Sequence, residues 1–154
     1  MGSHSLRLMS LVTLTALSVA TAALADDKDK AESSKPSSTV ILKTSTTGDG
    51  VPLVYPNGTP LITSRITVFP PHSKTNEHRH PVPLYAYVLE GELTIITEGQ
   101  PPRLYKAGEA FMETAGWHHG SNDGDVPVRL LAVYAGQVDL PLSEAKSNTV
   151  AERH

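Results

Sequence analysis

An all-β domain of the sandwich or barrel type is the fold class this sequence predicts, on three observations. Apolar residues recur in short runs of four to ten, several of them alternating with polar ones as half-buried strands do. Twelve prolines and eleven glycines are spread through the 154 residues and punctuate those runs. No stretch after residue 39 carries the apolar repeat of a long helix.

Val40-Ile41-Leu42 reads as a first strand, and Leu61 to Phe69 alternates before it stops at Pro70-Pro71. Tyr85 to Leu89 and Leu93 to Thr97 flank Glu90-Gly91 and read as a hairpin. Gly99-Gln100-Pro101-Pro102 is a turn, Arg103 to Tyr105 a short strand, and Ala107-Gly108 a second turn. Ala110 to Glu113 and Val126 to Val138 complete a series of six to eight strands.

The two ends read differently. Arg7, the apolar stretch Leu8 to Leu24 and the small-residue site Ala23-Leu24-Ala25 have the layout of a secretory signal over residues 1–25. Met9 is an alternative start. Residues 26–38 are charged and Ser-rich, as a disordered spacer would be. The barrel is expected over 39–142, followed by a tail over 143–154 that frays or forms a short helix. A periplasmic or secreted destination follows from the signal, and with no cysteine in the chain the fold must stand on its core rather than on disulfides.

A formal charge of −3 and the absence of a basic stripe argue against nucleic-acid partners. No second apolar span argues for a membrane partner. No Gly-x-Gly-x-x-Gly, phosphate loop, His-Glu-x-x-His or Gly-x-Ser-x-Gly occurs. His78-Arg79-His80 carries the chemistry instead. On a strand, residues two apart share a face, so the two imidazoles form half a metal site while Arg79 points away. The other half is expected from His119, with His118 as its competitor because adjacent strand residues face opposite ways. Three neutral nitrogen ligands suit Zn, Fe, Ni or Cu better than Mg or Ca.

These residues resemble the two motifs of the cupin superfamily, from Ile62 to Val138. In the first motif His78 and His80 match the paired histidines, and Gly91 matches the glycine inside Tyr87-Val88-Leu89-Glu90-Gly91-Glu92-Leu93. In the second, Gly108, Gly116 and His119 fall at the family spacing, with Thr114 in the place of a proline and Asp123 in that of an asparagine. Two departures stand out: Leu84 replaces the family's metal-binding glutamate, and His72 its leading glycine.

The resemblance implies a single cupin jelly-roll barrel. It further implies one divalent transition metal (Fe, Mn, Ni, Cu or Zn) on His78, His80 and His119, and a possible homodimer. Three neutral ligands leave a divalent metal its full charge, which favours an enzyme of dioxygenase type on a small, partly apolar or chelating substrate. Isomerase or lyase chemistry stands behind it. The alternative is a non-catalytic periplasmic module that binds a small molecule or metal, and a third reading is a barrel that has lost its metal with its glutamate. His72, Glu77 and Tyr87 are the candidate catalytic residues. Glu113 is a further candidate for a fourth ligand or its support, Arg65 for a carboxylate clamp, and Trp117 for a rim aromatic.

Overall fold

The computed structural model describes residues 35–147. The signal over 1–25, the spacer up to residue 34 and the tail beyond residue 147 lie outside the described residues. The chain divides into residues 1–39 and 40–154, and the barrel belongs to the second unit.

Among the described residues ten strands form two antiparallel sheets: β1 Pro60–Phe69, β2 Ser73–Lys74, β3 His78–Arg79, β4 Leu84–Glu90, β5 Glu92–Thr97, β6 Arg103–Lys106, β7 Ala110–Met112, β8 His118–Asn122, β9 Val128–Gln137 and β10 Glu144–Ala145. One sheet has the order β1-β9-β4-β7. The other runs β10-β3-β8-β5-β6, with β2 also paired to β8. This is the all-β class that the strand spacing predicts and the jelly-roll that the resemblance implies.

The core lies between the sheets. Alternation along β4 and β9 sends Ala86, Val88 and Leu130 inward to meet Phe69, Leu93, Ile95 and Phe111, while Leu84, Ala132 and Tyr134 pack with Val82 in a second cluster. Burial of such side chains contributes on the order of 1.5–3 kcal/mol each. The β4–β5 hairpin turns at Gly91, whose φ of +79° is left-handed. A Cβ there would also stand 2.9 Å from the Pro127 carbonyl oxygen, so glycine serves both the turn and the close approach of the next chain.

Three expectations are corrected. Val40-Ile41-Leu42 is not a strand, and Val40 is 78% exposed. Just after it Leu53 N donates to Ser45 O and Thr47 N to Val51 O to close a loop, Gly48 N reaches Glu113 O at 3.3 Å, and Val40 to Leu42 itself pairs with neither sheet. Residues 118–122 form β8, although the Gly, Ser and Asn in His118-His119-Gly120-Ser121-Asn122 carry no strand signal. Placement between β3 and β5 overrides that weak local preference. The tail is neither helical nor frayed where it is described. Glu144–Ala145 adds β10 to β3, held by the Arg79–Glu144 ion pair and by Lys146 N donating to Glu77 O.

Candidate metal centre

β3 and β8 run antiparallel with His78 directly opposite His118, so those two imidazoles leave the sheet side by side. His80, two residues along, joins them from the same face. The ring centroids lie 4.5 Å (His78–His118), 4.9 Å (His78–His80) and 5.2 Å (His80–His118) apart.

Each imidazole is oriented by a backbone carbonyl. His78 Nδ1 lies 2.8 Å from Asn76 O, His80 Nδ1 2.7 Å from Leu142 O, and His118 Nδ1 2.8 Å from Gly116 O. A carbonyl only accepts, so each Nδ1 must carry the hydrogen and each Nε2 presents a lone pair. One ligand atom from each ring falls within 4.8 Å of the others. Burial holds the His80 and His118 imidazoles down to about 4, against the carbonyl hydrogen bonds that favour protonation. Both rings are therefore neutral at physiological pH, the state in which imidazole ligates metals. His118 is 1% exposed, and its Nε2 has no hydrogen-bond partner. A buried, unpartnered lone pair costs stability unless something electrophilic meets it. These three residues fit a metal ion.

The facing sheet completes a cavity of about 80 Å³. Across it run Glu113, which follows β7, then Leu84 on β4 and Tyr134 on β9; the last two are direct register partners. Glu113 N donates to Leu84 O at 2.8 Å, which continues the β4–β7 ladder by one residue. Burial pushes the Glu113 carboxyl up to about 7, although its Oε1 accepts from Thr114 N at 3.2 Å. On the next row Ala86 and Ala132 are small, and Arg65 of β1 pairs with Ala132. Their size leaves room for the Arg65 guanidinium, which donates to the Tyr134 hydroxyl and lies 4.8 Å from the centre of that ring. Among the described residues no carboxylate pairs with Arg65.

A family model described as a cupin domain matches residues 65–134. Residues 65–134 are a cupin domain. Solved structures similar to this cupin include the DMSP lyase DddQ from Ruegeria pomeroyi DSS-3, at 22% identity over 65% of this chain and 48% of that one, with a TM-score of 0.49. An oxalate oxidase in complex with the substrate analogue glycolate is 22% identical over 55% of this chain and 45% of that one, TM-score 0.48. A cupin-like protein from Thermotoga maritima is 22% identical over 56% and 65%, TM-score 0.47. The chain spans about half the length of the first two. No curated protein matches.

Not all of the cupin residues singled out in the sequence meet at the cavity. His78 and His80 do, but the third histidine is His118 and not His119. Parity decides it. His118, Gly120 and Asn122 face inward and are buried, while His119 leaves the opposite face of β8 beside Ile96. Asn122 locks that parity: its amide donates to Phe69 O, Pro70 O and Val126 O, and its Oδ1 accepts from Gly124 N. The second motif's His-x-x-x-Asn spacing is thus kept by His118 and Asn122, one residue earlier than His119 and Asp123. The presence of a true asparagine at 122 was the available signal.

The three candidate catalytic residues lie elsewhere. His72 sits in the turn after β1 with a φ of +53° and bonds Asp125 at 3.1 Å. Glu77 pairs with Lys146 at the surface. Tyr87 shares the outer face of β4 with Tyr85, because Ala86 and Val88 take the inner one. The tyrosine at the cavity is Tyr134, its ring 5.5 Å from that of His80. It was missed because β9 alternates Leu, Ala, Val and Tyr without polar marks to show which face is the site. Trp117 carries the Arg79 guanidinium 4.8 Å over its ring, outside the cavity.

Proposed function

We propose that this cupin is an exported, mononuclear metal-dependent enzyme of oxygenase type that acts on a small chelating anion. One observation carries the metal: three Nε2 lone pairs converge because three backbone carbonyls hold the Nδ1 hydrogens outward. A divalent transition metal bound there supplies Lewis acidity, with access to oxygen chemistry for iron, manganese, nickel or copper.

The chain's own groups favour an anion. Arg65 is permanently charged and has hydrogens to spare for a carboxylate after serving Tyr134. The Tyr134 hydroxyl accepts from Arg65, which leaves its own hydrogen to donate to a bound substrate. Leu84, Leu93, Ile95 and Phe69 wall the cavity with apolar surface and exclude water from the polar groups. Export rests on the leader of residues 1–25.

A non-catalytic binding module is the second reading, favoured by the size of the cavity. About 80 Å³ accommodates an ion and a few heavy atoms.

Elemental analysis of the untagged protein tests the centre. Near-stoichiometric metal is expected in the wild type and in His119→Ala, and its loss in His78→Ala and His118→Ala. Equal metal in all four would refute the three-histidine centre. Oxygen uptake by the loaded wild type with small dicarboxylates, diketones and thiols then separates the enzyme from the binding module, which would gain thermal stability without consuming oxygen.

A further inference from the structure

The strand segment carrying His78 and His80 is followed at position 84 by a leucine, where the superfamily resemblance places a carboxylate. Register puts a carboxylate one strand over. Tyr85 pairs with Met112, and Glu113 N donates to Leu84 O, so residues 84 and 113 are lateral neighbours on the same inner face. Glu113 is 6% exposed and lines the cavity that the three imidazoles enter.

Its Oε1 stands 3.7 Å from His118 Nε2. That nitrogen presents a lone pair, since Nδ1 gives its hydrogen to Gly116, and it has no hydrogen-bond partner. The gap is too long for a hydrogen bond. In its ionised form the carboxylate, like the imidazole lone pair, is an electron donor, and a cation between the two would satisfy both. Two ligands each about 2.1 Å from one ion stand about 3.0 Å apart at right angles and about 4.2 Å apart when opposite. The observed 3.7 Å falls inside that range, while Glu113 stands outside the group of three imidazoles whose ligand atoms all lie within 4.8 Å of one another, so coordination would draw its side chain toward His78 and His80.

We propose that Glu113 is the fourth protein ligand of the metal centre, supplying from the end of β7 the carboxylate absent at Leu84. This inference rests on the three-histidine centre proposed above. It has two consequences. The centre's net charge falls from about +2 to about +1, which makes it a more retentive site and a weaker Lewis acid. The ligands would also come from both sheets, β3 and β8 on one side and β7 on the other, so the metal would cross-link the sandwich.

Co²⁺ alone serves as the probe, titrated into metal-free full-length wild type, Glu113→Gln and the surface control Glu77→Gln. Affinity is read by competition with a chromophoric chelator, and ligand geometry by the visible d–d bands. Glu113→Gln is expected to bind at least tenfold more weakly with altered bands, Glu77→Gln to match the wild type, and Leu84→Glu added to Glu113→Gln to recover affinity. Infrared difference spectra of the wild type, loaded minus metal-free, read the same ligand without substitution; a shifted carboxylate stretch is expected. Unchanged affinity and bands in Glu113→Gln, or no carboxylate shift in the wild type, would overturn the assignment while leaving the three-histidine centre standing. A wild type that takes up no Co²⁺ would remove the centre and this ligand together.

Discussion

Between His118 and His119 the choice is made by which face of β8 each occupies, and the same face sets their chemistry. His118 stands among apolar side chains that penalise its charged form, as does His80. Both sit at about 4 in the folded chain against 6.5 as reference, so folding keeps them neutral, and the stability this contributes is lost as pH falls from 6.5 through 4. Glu113 works in the opposite sense. Its carboxyl is raised from 4.5 to about 7, so its contribution is complete below 4.5 and is lost as pH rises through 7. Two imidazoles outweigh one carboxyl. For the metal-free protein the melting temperature should change little between about pH 6 and 8 and fall steadily below about pH 6. Thermal melts across that range check it, and Glu113→Gln should instead keep gaining stability up to about pH 7 because the opposing group is gone.

At the scale of the element, the loop leading into β8 is held by a residue far away in sequence. Asp49 accepts hydrogen bonds from Ala115 N and Gly116 N at 3.0 Å each, and from Thr47 Oγ1 at 2.6 Å. Burial works to raise its pKa, but these donors outweigh it and hold the carboxyl at about 2. Gly116 in turn offers its carbonyl to His118 Nδ1, so Asp49 positions a ligand it does not touch. Asp49→Asn keeps the shape but loses one acceptor and the charge. It should cost about 1–2 kcal/mol in urea denaturation and weaken Co²⁺ binding severalfold, whereas a purely structural role would leave affinity unchanged. The chain's other end acts similarly: Leu142 fixes the His80 tautomer through its carbonyl while its side chain packs on the second core cluster.

For the whole molecule, the outer face of the four-stranded sheet is the surface that calls for a partner. Ile62, Ile66 and Val68 are 63%, 45% and 56% exposed along β1. They border the outward Leu131, Val133, Tyr85 and Tyr87 of β9 and β4. A contiguous apolar face of this kind is uncommon on a monomer. The homodimer that the resemblance implies would cover this face. Sedimentation velocity should show a dimer for the wild type and a monomer for Ile66→Lys, with metal content unchanged because Ile66 faces away from the cavity. A wild-type monomer at micromolar concentration would count against the dimer.

The sequence by itself determined the all-β class, because period-2 alternation and Pro/Gly turn chemistry are local properties of the chain. It also determined that His78 and His80 lie together on one face, since residues two apart on an extended chain point the same way. The Glu90-Gly91 turn was legible for the same reason: glycine relieves a local backbone constraint. Tertiary structure decided the rest of the site. His118 displaced His119 because Asn122 anchors β8 to the end of β1, a contact spanning more than fifty residues. Val40 to Leu42, apolar enough for a strand, pairs with neither sheet. Glu113 reached the cavity through its register with Leu84, and Tyr134 and Arg65 through theirs with β4 and β9. Register between distant strands follows from the packing of the whole barrel, and so it cannot be read from any one segment.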